Sequence, residues 1–149
     1  KFILVQHAPG APGMRMIGLG PRFMPRGGVR QLKTLLDNNT FWAKGRSLKD
    51  LKLILSKSTV IVSIWLQQEL IGFGRATSDE IFRATLWDIV IDKNFQNLGL
   101  GETIVASILK HPSISKVEKI YLMTTFGHDF YLKMNFNKEK RQNLMVLQK

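Results

Sequence analysis

The sequence predicts a mixed α+β fold in a single domain spanning residues 1–149, and three observations lead to this prediction. The length of 149 residues suits one hydrophobic core. Aliphatic residues recur at helical spacing in two early segments, and three β-branched runs then follow at hairpin spacing. After the third run come a helical pattern and another strand pattern, which together predict a β-α-β unit near the centre of the chain.

The first 57 residues are predicted to be mainly helical after an irregular start. Residues 1–28 are rich in Gly, Pro and Arg, so we expect them to be partly irregular, with one strand at residues 14–19. Apolar residues at helical spacing predict a helix over residues 29–37. Ser47 is a suitable N-cap for a second helix over residues 48–56.

Three strands are predicted to follow as an antiparallel meander. They cover residues 59–66, 70–76 and 84–91, and short polar turns separate them. An amphipathic helix is predicted over residues 102–110, ending before Pro112.

The last third of the chain is predicted to contain two strands and one helix. We expect a strand at residues 119–125, a short helix at residues 129–134, and a last strand between Phe136 and the end of the chain. The complete order describes a mostly antiparallel sheet flanked by helices.

Composition excludes several functional classes. The formal charge of +11 favours anionic partners, but the basic residues are dispersed and are not interleaved with aromatic ones, so we expect no nucleic-acid partner. No apolar run approaches the roughly 20 residues that span a bilayer, so we expect no membrane segment. The absence of cysteine excludes thiolate catalysis, and the three histidines lack metal-ligand spacing, so we expect no metal. Because the chain begins with Lys, we expect residues before it, among which a targeting peptide could lie.

The segment around Gly99 and Gly101 is the strongest local signal. It lies between a predicted strand and a predicted helix, where free backbone N–H groups can bind a phosphate. It is not a dinucleotide fingerprint, because position 104 is Ile, and it is not a P-loop, because Lys-Ser/Thr is missing. From spacing alone, a phosphate cradle and a simple strand-to-helix turn remain equally good readings.

The residues around this segment resemble the GCN5-related N-acetyltransferase (GNAT) family. The stretch QNLGLG at residues 96–101 is similar to the family's Gln/Arg-x-x-Gly-x-Gly/Ala motif, and LWDIVID precedes it as in that family. The segment FYLKMNF at residues 130–136 resembles the family's Phe-Tyr-x-x-x-Gly-Phe, with Asn135 at the glycine position. A narrower likeness, over residues 71–101, is to the plastid and cyanobacterial branch that includes plant serotonin N-acetyltransferase.

The resemblance implies a GNAT-like fold in which a splayed strand pair forms an acetyl-CoA cleft. The pyrophosphate would bind the backbone at the start of the helix, and the pantetheine arm would run beside residues 89–91. A bulge or splay between this strand and residues 119–125 would open the cleft. The cofactor-binding residues implied in this way are Ile89, Val90, Ile91, Gln96, Asn97, Leu98, Gly99, Leu100, Gly101, Glu102 and Thr124.

The resemblance also implies catalytic roles. Tyr131 is the expected general acid for the leaving thiolate, because a phenol with a pKa near 10 can donate a proton at neutral pH. Asp88 is a candidate base that would act through water, and the alternative is a structural carboxylate that pairs with a nearby cation. His128 is a further candidate base. Three aromatic residues could line an acceptor pocket or belong to the core: Phe41, Trp42 and Trp65.

The expected function is therefore N-acetylation of a primary amine by direct attack on acetyl-CoA. The acceptor implied by the branch is an arylalkylamine such as serotonin, and the alternatives are a protein lysine, a protein N-terminus, or a non-catalytic acetyl-CoA-binding domain. The resemblance implies a homodimer. It also implies a location in the bacterial cytoplasm or the plastid stroma. Lys93, Lys133 and Arg141 are the candidates for a basic cofactor entrance.

Overall fold

A five-stranded sheet forms the centre of the computed structural model, which describes residues 1–8, 14 and 27–149. The strands lie in chain order across the sheet, and only the last pair is parallel. The elements are β1 (Phe2–Gln6), α1 (Gly28–Asn39), α2 (Leu48–Lys57), β2 (Val60–Leu66), β3 (Glu69–Ser78), β4 (Arg83–Ile91), a 3-10 turn (Lys93–Phe95), α3 (Leu100–Lys110), α4 (Pro112–Ser115), β5 (Lys119–Tyr121) and α5 (His128–Lys133).

The first two helices agree with the sequence patterns that predicted them. In α1 the buried residues are Val29, Leu32, Leu35 and Leu36, which are the positions that gave the helical spacing. The Ser47 hydroxyl accepts a hydrogen bond from the Asp50 N–H and so caps α2, as predicted. Both helices pack on one face of the sheet, in a cluster that also contains Trp65 and Phe73.

The N-terminal strand β1 was not predicted. Residues 1–28 were expected to be irregular apart from residues 14–19, but Phe2–Gln6 pairs antiparallel with β2. A run of five residues forms a strand when it can pair with the edge of a sheet. Here that edge is β2, which lies more than 50 residues away and is not visible in the local sequence. Of the strand predicted at residues 14–19, all but the buried Met14 lies outside the described residues.

Helix α3 packs on the opposite face of the sheet, above two glycines of β3. A Cβ atom at Gly74 would lie 2.6 Å from Ile104 Cγ2 and 2.8 Å from Ile89 Cδ1. A Cβ atom at Gly72 would lie 2.8 Å from Ile91 Cδ1. The two glycines therefore let α3 approach the sheet closely.

We expect Gly74→Ala to lower the free energy of unfolding by about 1–3 kcal/mol, because the added methyl group overpacks this contact. Urea denaturation measures the change. Gly101→Ala is the control, since the nearest neighbours of its Cβ outside the local backbone would be the Phe130 ring, at 3.3 Å, and Ile91 Cγ1, at 3.8 Å. Equal stability of the two variants would contradict the packing role of Gly74.

Strand β4 contains a bulge beside β3. One residue of β3, Gly74, lies opposite two residues of β4, Asp88 and Ile89, and Asp88 has a φ of 54°. The extra residue reverses the alternation of the strand. Leu86 packs with α3 before the bulge and Ile89 does so after it, whereas Val90 faces the α1–α2 cluster.

Two predicted strands of the C-terminal third are shorter or absent. The strand expected at residues 119–125 covers only Lys119–Tyr121, because it pairs only with the first three residues of β4. The prediction of a last strand after Phe136 is wrong, since residues 136–149 contain no helix or strand. A three-residue β5 offers little backbone for a further strand to pair with, and the apolar segment at residues 144–147 is exposed.

Candidate active site

The start of α3 has the geometry of an anion-binding helix terminus. Gly99 is the N-cap, with a left-handed φ of 78°, and Asn97 is also left-handed, with a φ of 63°. The first bond of the helix joins the Thr103 N–H to the Gly99 carbonyl at 3.1 Å. The N–H groups of Leu100, Gly101 and Glu102 therefore have no carbonyl partner within α3, and the positive end of the helix dipole lies there.

The two glycines of this segment serve different purposes. A side chain at Gly99 would meet no atom within 4 Å, so glycine is required there by its positive φ. Gly101 has a helical backbone, and a Cβ atom there would point toward the Phe130 ring of α5. Gly101 thus allows α5 to approach α3.

The second half of β4 has an open backbone edge. Its pairing with β5 covers only Arg83, Ala84 and Thr85, so residues 86–91 have a strand partner on the β3 side alone. This is the splay that the family likeness implied, and the bulge lies on the other side of β4, toward β3. The Gln96 side chain donates a 3.4 Å hydrogen bond to the Ile91 carbonyl, so the segment before α3 folds back to the end of the open edge.

Tyr131 is linked to the start of α3 through aromatic contacts. Its ring packs edge-on against Phe130, with centroids 4.9 Å apart, and against Phe136 at 5.7 Å. Phe130 in turn lies against Gly101. A Cβ atom at Gly127 would lie 3.1 Å from the Tyr131 ring and 2.7 Å from Thr124 Oγ1. The Tyr131 ring, Thr124 and the start of α3 are therefore parts of one continuous packing arrangement.

The Tyr131 phenol remains protonated over the whole physiological range. Burial raises its pKa to about 12. A neutral phenol can donate a proton to a thiolate. The backbone of Asn135 has a φ of 69°, which explains why asparagine is accepted where the family motif has glycine.

Asp88 is the most highly connected polar side chain near the bulge. Arg75 Nε donates to its Oδ2 at 2.8 Å, Arg46 Nη1 donates to the same oxygen at 3.0 Å, and Trp42 Nε1 donates to Oδ1 at 3.1 Å. Burial, the largest single influence, would raise the pKa of Asp88, but the bonds and charges of the two arginines outweigh it and lower that pKa below 3.8. These contacts match the pairing alternative. The role of base stays a prediction, which the lowered pKa disfavours.

We expect Asp88→Asn to destabilise the protein by about 1–3 kcal/mol at neutral pH, because hydrogen bonds to charged groups are lost or weakened. A lowered folded-state pKa contributes stability above the unfolded value near 3.9, and this stability disappears as the pH falls through the folded value. The difference between wild type and variant should therefore shrink below about pH 4. Urea denaturation from pH 3 to pH 7 measures it, and a constant difference would contradict this origin.

Sequence reasoning missed the cationic partners of Asp88. Arg75 lies on β3 and is 6% exposed, and Arg46 lies in the α1–α2 connection. An arginine within the apolar β3 pattern was the one available signal, because a buried arginine needs a carboxylate. Of the aromatic candidates, Trp65 is fully buried in the core, whereas Trp42 and Phe41 are 49% and 68% exposed. Of the three expected basic entrance residues, all exposed, Arg141 pairs with Glu139.

Three other kinds of feature in the described residues can bear on function: metal-binding groups, membrane-spanning helices and other pockets. No group of three or more His, Cys, Asp or Glu side chains could hold a metal among residues 1–8, 14 and 27–149. In the same part of the chain, no helix is long and apolar enough to span a membrane. A shallow pocket of about 200 Å³ lies between α1 and the residues Glu69, Leu70 and Asp92, and none of the predicted site residues lines it.

The chain belongs to the acetyltransferase (GNAT) family, whose family model matches residues 29–136. A protein named uncharacterized N-acetyltransferase ycf52 from Gracilaria tenuistipitata var. liui is 34% identical over 144 residues, which are 91% of this chain and 75% of that protein. The ycf52 protein of Porphyra purpurea is 37% identical over 114 residues, which are 73% of this chain. That match spans 64% of the Porphyra protein.

Other similar proteins carry more specific names. A histone acetyltransferase named TAP1 from Glycine max is 32% identical over 93 residues, covering 55% of this chain and 39% of that protein. Among solved structures, a probable acetyltransferase from Staphylococcus aureus superposes with a TM-score of 0.76 at 17% identity and covers all of both chains. Glucosamine-6-phosphate N-acetyltransferase from Arabidopsis thaliana superposes with a TM-score of 0.67 at 14% identity, covering 99% of each chain. These two structures support the fold.

Proposed function

We propose that this protein transfers the acetyl group of acetyl-CoA directly to a primary amine. The observation that carries the proposal is the meeting of three features: the free N–H groups at the start of α3, the open edge of β4, and Tyr131. Acetyl-CoA supplies an activated acetyl thioester. The protein residues bind it, orient it and provide a proton.

The residues present fit coenzyme A. The pyrophosphate would bind the N–H groups of Leu100, Gly101 and Glu102, where the helix dipole favours negative charge. Glu102 would contribute its backbone rather than its exposed carboxylate. The open backbone of residues 89–91, apart from the Ile91 carbonyl that accepts from Gln96, has unpaired donors and acceptors that suit an extended amide-containing arm. Thr124 lies across the splay, where it would face that arm.

Tyr131 would protonate the thiolate that leaves as the amine attacks. The ring is held by Phe130, Phe136 and Gly127. The raised pKa keeps the phenol protonated at neutral pH, and it also makes the phenol a weaker acid toward the thiolate. The amine must attack in its neutral form, for which Asp88 and His128 remain the candidate bases, with Asp88 disfavoured by its ion pairs.

The acceptor proposed first is an arylalkylamine. It is supported by the exposed Phe41 and Trp42 rings, which pack edge-on at 5.3 Å beside the bulge. A protein amine is the second candidate, and the name of the Glycine max relative favours it. A homodimer, and a location in the plastid stroma or bacterial cytoplasm, remain predictions.

An amine panel tests the proposal. The protein is incubated with acetyl-CoA and with serotonin, a polyamine or a lysine peptide, and the free CoA thiol and acetylated amine are measured in the same sample. We expect thiol and acetylated product in equal amounts for at least one acceptor. Binding of CoA without transfer to any of them would instead support a non-catalytic acetyl-CoA-binding domain.

A further inference from the structure

The carboxylate of Asp88 joins three separate parts of the fold at one point. Arg75 reaches it from β3, and Trp42 and Arg46 reach it from the α1–α2 connection at residues 40–47. Asp88 itself occupies the bulge of β4 with a left-handed backbone. The Asp88 side chain is only 4% exposed and that of Arg75 only 8%.

The Arg75–Asp88 pair is the buried part of this arrangement. The guanidinium of Arg75 also donates to Ser58 Oγ at 3.4 Å and lies 5.8 Å from the centre of the Trp87 ring. Arg75 is therefore fixed by its surroundings independently of the α1–α2 connection. It holds the carboxylate in place, so that Oδ1 can accept from Trp42 and a further lone pair of Oδ2 can accept from Arg46.

The bulge lies where the reacting end of the cofactor is expected under the proposed function, on which this inference rests. The pyrophosphate site follows Ile91 through the Gln96 segment, whose side chain bonds the Ile91 carbonyl. An extended arm that starts there and runs along residues 91 to 89 ends beside Asp88. The α1–α2 connection is thus pinned next to the position of the acetyl group.

We propose that Asp88, held by Arg75, is a positioning residue that fixes the α1–α2 connection as one wall of the amine site. The backbone of the connection has restraints of its own, since the Gly45 N–H donates to Asp37 Oδ1 at 2.8 Å and Lys33 Nζ donates to the Arg46 carbonyl at 2.9 Å. The Trp42 and Phe41 side chains, in contrast, are 49% and 68% exposed. The two bonds to Asp88 hold Trp42 and Arg46 in a single arrangement. The affinity for the amine then depends on the Asp88 carboxylate, whereas the affinity for the phosphates of coenzyme A does not.

The first test is independent of activity. Asp88→Asn and Trp42→Phe are compared with wild type by amide hydrogen exchange with mass spectrometry. We expect exchange in residues 40–47 to increase at least about tenfold in both variants, with α3 unchanged. Trp42→Phe keeps a smaller aromatic ring and removes the N–H donor at a half-exposed position, so it is expected to fold normally. Unchanged exchange in residues 40–47 would overturn the proposal.

The second test distinguishes an effect on amine binding from an effect on coenzyme A binding. We expect Trp42→Phe and Arg46→Met to lower kcat/KM for the amine by about tenfold each, mainly through KM, with the dissociation constant for CoA unchanged. Because both act through Asp88, neither change should add its full effect in an Asp88→Asn background. Asp88→Glu, which keeps the charge, should recover part of the loss. A merely structural role would lower the melting temperature without raising KM for the amine.

The control is a second ion pair of equal length on the same strand. Arg83 Nη1 lies 2.8 Å from Glu118 Oε2, but both side chains are exposed and lie at the far end of β4. Glu118→Gln is expected to leave KM for the amine and the exchange of residues 40–47 unchanged. Wild-type turnover with an unaltered KM in the Asp88 and Trp42 variants would overturn this inference alone. A wild type that transfers acetyl to no amine would overturn the proposed function and the inference together.

Discussion

Replacing Tyr131 by phenylalanine is expected to lower the turnover number at least about 100-fold, the lower end of what a positioned general acid contributes. The affinity for CoA should stay the same, because under the proposed function the pyrophosphate and the arm would be bound by backbone groups of α3 and β4. Folding should be little affected, since the phenylalanine ring keeps the contacts with Phe130 and Phe136. Steady-state kinetics and calorimetric titration with CoA measure the two quantities.

The chain contains one other tyrosine, which is the matched control. Tyr121 is the last residue of β5 and interacts with Arg83. Tyr121→Phe removes the same hydroxyl group from a place outside the proposed site and should leave turnover unchanged. Equal turnover of wild type and Tyr131→Phe would remove Tyr131 from the mechanism.

The pH dependence of turnover gives a further check on Tyr131. Its raised pKa of about 12 means that the acid stays protonated up to strongly alkaline pH. The turnover number should therefore show no fall caused by this group between pH 7 and pH 10. The stability that burial of the neutral phenol provides is complete below the unfolded value near 10 and is lost as the pH rises through the folded value.

The second large effect is expected at the helix terminus, where Gly99→Glu should raise the dissociation constant for CoA at least tenfold. Two like charges about 6 Å apart interact unfavourably by about 3 kcal/mol at an effective dielectric constant of 20, and about 1.4 kcal/mol is enough for a factor of ten. The side chain has room, since no atom lies within 4 Å of the added Cβ position. Calorimetric titration with CoA measures the change.

Gly45 provides an unusually close control for Gly99. It has a φ of 84°, against 78° for Gly99, and its added Cβ would also meet nothing within 4 Å. Gly45→Glu therefore carries the same backbone strain and the same new charge, but it lies in the α1–α2 connection. We expect similar losses of stability in both variants and a loss of CoA affinity only in Gly99→Glu. Equal CoA affinities would refute the pyrophosphate site.

Four of the five α-helices in the described residues were predicted, because their signals are local, whereas the four-residue α4 (Pro112–Ser115) was not. The apolar spacing of α1 and the Ser47 cap of α2 depend on residues within one or two turns of each other. The antiparallel meander was also correct, with strand ends shifted by one or two residues. Asn135, which stands at the glycine position of the family motif, has the left-handed backbone that glycine favours.

Features that depend on distant partners were not predictable in the same way. Strand β1 exists because β2 offers it an edge, and the expected last strand is absent because β5 ends after three residues. The pairing of Asp88 was an open alternative, but its partners Arg75, Arg46 and Trp42 lie 13, 42 and 46 residues away. No local pattern connects such positions.

The proposed function requires that the free N–H groups at the start of α3 and the open edge of β4 bind coenzyme A. Titration of the ¹⁵N-labelled protein with CoA, followed through its amide resonances, tests this most directly. The largest shifts are predicted for residues 97–102, together with residues 89–91 of β4. Shifts confined to other surfaces, such as the basic segment at residues 138–141, with residues 97–102 unaffected, would contradict it.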